Sequence, residues 1–392
     1  MASIPIIYNL RNLWVRKVST ILTIAGITLA VGILLVVLML VNGVRHALVE
    51  SGSPDNAIIL RKAATSETMS GISKDTSSII HGSPEIATGA TGKPLATTEI
   101  VAAVNLPRLG QAKSSSNVTV RGVTADSFAL RPLVRITQGR EPRFGTLEIV
   151  AGRNAAKGFE GCQEGGSIQM SGRTWSVVGV FDAGGTSFES ELWGDVDLVA
   201  EAFGRQNFYS SSTVALRDVR LDYPAFKDRL ETDSRFAVDV RHERDYYEET
   251  SASLRMLIMV LGSVLSVLFT FGAILGAMVT MFAFVGSRTK EIGTLRALGF
   301  PRRSILICFL VESVLLALIG GAIACLPALL FQNLTFSTTN FSTFTDLTWN
   351  LRASPGMVIG AMVFAAVMGL LGGLLPAVRA ARLPIISALR EE

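Results

Sequence analysis

The chain has 392 residues, 49% of them hydrophobic and 17% charged, with a formal net charge of +4. So apolar a composition points to a bilayer part beside a soluble part large enough to bury its own core. The basic residues are not interleaved with aromatics as a nucleic-acid surface requires, and three cysteines without a CxxC pair and dispersed His46, His81 and His242 exclude a disulfide framework and a Cys/His metal site.

Residues 4–17 read as an amphipathic helix. Ile6, Leu10, Leu13 and Trp14 fall near one face and Arg11, Arg16 and Lys17 on another, suited to the membrane interface; a loose N-terminal tail is the alternative. Four apolar runs follow, roughly Val18–Val41, Leu254–Val285, Ile305–Phe331 and Pro355–Val378. Each has about 24 residues or more, and a helix needs ~20 to cross a hydrocarbon core. The first run is too long for a signal-peptide core and lacks a small-x-small cleavage site, so a retained anchor is expected. Its helix, 18–49, should end where Ser51-Gly52-Ser53-Pro54 stops it.

The polar stretch 50–242 reads as an α+β domain inserted between the first and second helices. Ala57–Leu60, Ile100–Val104, Val118–Val123, Leu147–Val150, Ser167–Met170, Thr174–Val180 and Thr213–Leu216 are strand-like, and Val196–Phe203 and Tyr223–Thr232 helical. Residues 63–118, rich in Ser, Thr, Ala and Gly, carry little further pattern. From 243 to 286 one helical pattern is unbroken. About 44 residues would span ~66 Å, twice the bilayer core, so its charged start should stand in water as a stalk, with the first helix beside it. The remaining pieces are a connection at 287–304, the third helix at 305–331, a loop at 332–354, the fourth helix at 355–378 and a tail at 379–392. The expected fold is an α-helical membrane protein with four transmembrane helices and one inserted α+β extracytoplasmic domain.

Orientation follows from the positive-inside rule. Arg11, Arg16 and Lys17 flank the first run, Arg288, Lys290, Arg296, Arg302 and Arg303 fill the 287–304 connection, and Arg379, Arg382 and Arg390 lie in the tail. The 332–354 loop carries only Asp346 and Arg352. Both termini and the 287–304 connection are therefore expected in the cytoplasm, with the inserted domain outside.

The 287–304 connection is the sharpest motif. Lys290–Leu298 reads as a short amphipathic helix closed by Gly299, with Pro301 beyond. Ile292, Leu295 and Leu298 would make an apolar stripe, leaving Arg288, Glu291 and Arg296 to reach a partner; a bland connector is the alternative. Glu312 lies within the third run, where a carboxylate is costly. It reads as a packing hydrogen-bonder, with a proton site or a snorkelling side chain as alternatives. Gly272/Gly276, Gly356/Gly360 and Gly369/Gly373 have the small-xxx-small spacing of close helix packing, and Pro327 is a candidate kink. Enzyme signals are absent: Gly92-Lys93 lacks the rest of a phosphate loop, with Ala87 and Pro94 at its key positions, and no Gly-x-Ser-x-Gly elbow occurs.

The segment Glu291-Ile-Gly-Thr-Leu-Arg-Ala-Leu-Gly299 with Arg288 before it, the Glu312 helix and the tail Pro376-Ala-Val-Arg-Ala-Ala-Arg-Leu-Pro-Ile-Ile-Ser-Ala-Leu-Arg390 resemble the MacB/FtsX (type VII) family of ABC transporter permeases. Val120-Arg-Gly-Val, Gly139-Arg140, Val178-Gly-Val-Phe181 and Leu192-Trp-Gly-Asp195 resemble its MacB-type periplasmic core domain. The resemblance spans nearly the whole chain. It implies a dimer, homo- or heteromeric, of four-helix subunits in the bacterial inner membrane. Residues 1–17 would be an elbow helix, and 50–242 a core of Porter-like and Sabre-like parts. It implies a coupling helix at 287–304 that docks on an ATPase, through Arg288, Glu291, Ile292, Gly293, Leu295, Arg296, Ala297, Leu298, Gly299 and Arg302, with Leu383 and Leu389 of the tail packed behind. No Walker motif is present, so ATP and Mg are expected on a separate cytoplasmic ABC ATPase, with no cofactor on this chain. The implied function is export by mechanotransmission, with a periplasmic adaptor and an outer-membrane channel as partners of that class. Lipoprotein extraction of the LolC/LolE kind and FtsX-like signalling without transport are the alternatives.

Overall fold

The computed structural model describes residues 17–89, 92–111, 114–331, 334–340 and 343–384; the amphipathic helix expected before residue 17 lies outside them. The described residues form two compact units, an inserted domain within 43–255 and 335–350, and a helical unit within 17–42, 256–334 and 351–384.

α1 (Lys17–Val49) leads to β1 (Asn56–Arg61), a 3-10 turn (Glu67–Met69), β2 (Ile72–Ser73), α2 (Lys74–His81), β3 (Ala96–Pro107), β4 (Ser115–Val123), α3 (Asp126–Leu130) and β5 (Arg135–Gly139). Then come β6 (Glu148–Gly152), α4 (Arg153–Gly158), β7 (Ser167–Met170), β8 (Arg173–Asp182), a second 3-10 turn (Ser187–Ser190), β9 (Glu191–Asp195) and α5 (Val196–Ala202). β10 (Phe208–Tyr209), β11 (Ser211–Ala215), α6 (Val219–Thr232) and β12 (Val238–His242) precede the long α7 (Glu243–Ser287). The chain continues through α8 (Thr289–Ala297), α9 (Arg302–Leu330), β13 (Thr335–Asn340), β14 (Thr345–Asn350) and α10 (Pro355–Arg382).

Among the described residues, ten strands of the inserted domain form one sheet in the order β12-β1-β11-β3-β4-β9-β6-β8-β5, with β7 on β8. The period-2 alternation of strands builds its cores. In β1, Ala57 and Ile59 enter one cluster with Phe226 and Leu230 of α6, while Ile58 and Leu60 enter another with Phe181, Trp193, Tyr246 and Tyr247. On β9, Leu192 joins a third cluster with Trp175 and Val199, and its neighbour Trp193 faces the opposite side. Gly122 is where α5 meets the sheet: a Cβ there would lie 2.5 Å from Ile100 Cγ2 and 2.9 Å from Val196 Cα.

The 332–354 segment, expected as a plain loop, carries an antiparallel hairpin of β13 and β14 that belongs to the inserted domain. Asp346 pairs with Arg108, Thr119 and Thr345 hydroxyls meet at 2.7 Å, and the Thr348 N–H donates to Ser190 Oγ at 3.0 Å. Trp349 is buried against Gly43, where a Cβ would come within 2.9 Å of its ring.

In the helical unit, α1, α7, α9 and α10 are each long and apolar enough to cross a membrane. At 45 residues α7 spans ~68 Å. α9 and α10 pack most closely, and Ser313 Oγ donates to the Gly369 carbonyl at 2.6 Å. A Cβ at Gly369 would sit 2.6 Å from Ala317 Cβ, and one at Gly373 2.5 Å from Ser313 Cβ. Of the three small-xxx-small pairs only this one is filled; Cβ atoms at Gly272, Gly276 and Gly360 would meet nothing within 4 Å. α1 touches α7 where Val37 covers Gly262. α9 continues through Pro327. α10 runs on to Arg382, so Arg379 and Arg382 belong to its last turn, where cations suit the helix dipole.

Candidate functional site

α8 fills the connection between α7 and α9, and its sequence explains both its ends and its seat. Gly299, at φ +94, closes it. The Gly299 N–H donates to the Arg296 carbonyl and the Phe300 N–H to the Leu295 carbonyl, each at 3.2 Å, which is the Schellman arrangement. Ile292 is 2% exposed, and with half-buried Leu295 it enters a cluster of Met281, Phe284, Ile305, Phe309, Ala377 and Ala381. Leu383 packs on the same cluster. Leu389 lies outside the described residues.

The expected stripe is shorter than the spacing suggested. Leu298 is 72% exposed. Each three-residue step falls about 60° short of a full turn, so two steps carry Leu298 about 120° away from Ile292. The two arginines expected to reach outward instead turn in. Arg288 Nη1 lies 3.0 Å from Glu312 Oε2, with the side chains 11% and 1% exposed. Arg296 Nη1 donates to the Ala381 carbonyl at 2.9 Å. Glu312 is thus an ion-pair partner that ties α8 to α9, while Arg296 ties it to the end of α10. Gly293 is buried on the inner face. The outer face presents Lys290, Glu291, Thr294, Ala297, Leu298, Gly299, Arg302 and Arg303.

This arrangement is a clamped helix with an exposed apolar tip among charges. Beneath it lies a cavity of only about 10 Å³, too small for a ligand, and no cluster of three or more His, Cys, Asp or Glu suited to a metal occurs among the described residues. The geometry fits contact with another protein. No local pattern announces the Arg288–Glu312 pair, because Arg288 is the N-cap of α8 and Glu312 lies 24 residues on, in α9; the demand of a carboxylate within a span for a nearby cation is the signal that points to it.

Comparison with known proteins agrees with this architecture. Residues 20–232 match the model of the MacB-like periplasmic core domain and residues 263–385 that of the FtsX-like permease C-terminal. The chain belongs to this family of ABC transporter permeases, as a multi-pass membrane protein whose α+β domain is inserted between its first two spanning helices. It is 29% identical over 265 residues to the macrolide export ATP-binding/permease protein MacB of Bdellovibrio bacteriovorus, covering 63% of this chain but 39% of that protein. It is 26% identical to YvrN, an uncharacterized ABC transporter permease of Bacillus subtilis, over 98% of both chains. The extracellular domain of YknZ, a noncanonic ABC-type transporter from Gram-positive bacteria, aligns with 47% of this chain and 99% of its own at 14% identity, with a TM-score of 0.36, too low to carry an argument.

Proposed function

We propose that this chain is the membrane subunit through which a separate ABC ATPase drives the inserted domain to expel a substrate. ATP and Mg belong to the partner, and α8 is the element it grips. The observation that carries the reading is the clamped α8 itself. A bare connector needs no Arg288–Glu312 pair, no Schellman closure and no buried Ile292. Held this way, α8 passes a push on its outer face to α9 and α10 without first deforming. The Lys and Arg distribution favours the cytoplasm for α8 and both termini, and the family resemblance favours the bacterial inner membrane. The family's architecture supports a dimer, and an exporter of this kind works with a periplasmic adaptor and an outer-membrane channel.

The test is copurification of the tagged chain from its own membranes in mild detergent with an ATP analogue. An ABC ATPase subunit should come with it, and Glu291→Lys, on the outer face, should abolish that association while the chain still inserts. Recovery of no ATPase would remove the reading.

A further inference from the structure

Two elements join the inserted domain to membrane helices directly, the end of α1 and the start of α7. In the domain they meet around Glu243, the first residue of α7, which is fully buried. Its Oε2 accepts from the Ser53 N–H at 2.9 Å and from Asn56 Nδ2 at 2.8 Å, both from the segment that leaves α1. Its Oε1 accepts from Arg131 Nη2 at 3.0 Å. One carboxylate therefore holds the exit of α1, the entry of α7 and the loop after α3.

The grip extends into the sheet. Arg131 also pairs with Glu99 on β3. Glu99 Oε2 accepts from Arg121 Nη1 of β4 at 2.7 Å, and Arg121 holds Glu67 at 2.9 Å and Glu191 of β9 at 2.8 Å. Every side chain of this chain of pairs is at most 8% exposed. The Phe188 ring lies against both guanidiniums, 5.3 Å from Arg121 and 5.0 Å from Arg131. Gly52 closes the joint. A Cβ there would stand 2.7 Å from the Arg244 backbone, so the two chain ends touch main chain to main chain. At its edge Arg244 pairs with Glu50 at 2.9 Å.

We propose that Glu243 is a positioning residue that yokes the outer ends of α1 and α7 into one rigid body. It rests on the mechanotransmission reading above. The yoke forbids scissoring between the two helices at the domain, so motion of the pair reaches the sheet as one displacement through Arg131 and Arg121. Breaking such a joint leaves buried donors without acceptors, and the network is satisfied only with all its members in place.

The test places spin labels at the exposed positions Arg45→Cys on α1 and Asp245→Cys on α7, with Cys162, Cys308 and Cys325 replaced by Ala, and reads their dipolar coupling in the complex with its ATPase. The yoke requires one narrow distance, the same in nucleotide-free and vanadate-trapped states. Glu243→Gln keeps the shape but turns an amide toward a donor, and should broaden that distribution at least two-fold. Asn56→Ala, which removes one donor and leaves the carboxylate, should broaden it less and serves if Glu243→Gln does not fold. A distance that shifts on trapping, or a width unchanged by both substitutions, overturns the yoke. A label at Leu298→Cys, read in parallel, reports whether the ATPase cycle reaches the chain. If it stays silent the coupling reading falls, and the yoke is still judged by the widths.

Discussion

Removing Arg288 should cost α8 its seat. In Arg288→Ala the Glu312 carboxylate, 1% exposed, loses its cation, and its Oε1 already has no hydrogen-bond partner. At an N–O distance of 3.0 Å the Coulomb attraction is about 5–6 kcal/mol for an effective dielectric of 20. Desolvation offsets much of that, and removing one partner of such a buried pair costs ~3–5 kcal/mol. At 1.4 kcal/mol per factor of ten, α8 would lose a factor of ~100 or more in its docked population. The assay is hydrogen exchange of the amides of 292–296 together with retention of the ATPase on the tagged chain. Both should fall in Arg288→Ala and in Glu312→Ala. The double substitution Arg288→Met with Glu312→Leu removes both charges and should recover most of the protection, since a buried pair replaced by apolar groups is often neutral. Unchanged protection in Arg288→Ala, or a double variant as damaged as both singles added, would refute the clamp.

Gly293→Pro removes a helical N–H in the buried turn of α8 and should cost ~3 kcal/mol, abolishing ATP-dependent activity at normal membrane expression; activity within two-fold of the parent would refute it. Asp346→Ala, which breaks the pair with Arg108, should raise amide exchange across 345–348, and unchanged exchange would mean that the hydroxyl contacts alone hold the hairpin. Acid should weaken the inserted domain. The Arg140 guanidinium, helped by the Arg143 N–H, pulls Glu148 down to about 2. Burial pushes Glu99 up, but Arg131 and Arg121 outweigh it and hold it below the usual range. Both carboxyls lie lower folded than unfolded, so their stabilisation is complete above the unfolded value near 4.5 and fades as pH falls through the folded one. The Tm of the full chain in detergent should drop between pH 6 and pH 3, less so in Glu148→Gln; an equal drop in that variant would contradict the assignment.

The spanning helices and much of the sheet were legible because their signals are local. Length and apolarity gave α1, α7, α9 and α10, a short apolar run gave β1, and alternation gave β7 and β8. Long-range polar pairing is what stayed hidden. β3 begins Ala96-Thr-Thr-Glu99, all buried, a polar run that reads as surface until Arg121 and Arg131 are brought to it. β5, Arg135-Ile-Thr-Gln-Gly139, has no apolar face. β12, Val238–His242, is five residues with only Val238 and Val240 apolar, too short a signal to stand out, although both fill the core beside Phe226. The hairpin of β13 and β14 is mostly Thr, Ser and Asn, with Leu347 and Trp349 as its buried apolar side chains, and its polar contacts to β4 and the second 3-10 turn lie far away in sequence. In α8 the closure at Gly299 was readable from the sequence, whereas the inward turn of Arg288 and Arg296 depends on Glu312 and the Ala381 carbonyl, which no local pattern announces.

The central claim is that the outer face of α8 grips an ABC ATPase on another chain. The most direct measurement places a photo-crosslinking residue at Leu298 in native membranes and identifies the adduct by mass spectrometry. The account predicts a nucleotide-sensitive adduct with a Walker-motif ATPase subunit, and none from the same probe at buried Ile292. An adduct only with lipid, or with a protein that binds no nucleotide, would contradict it.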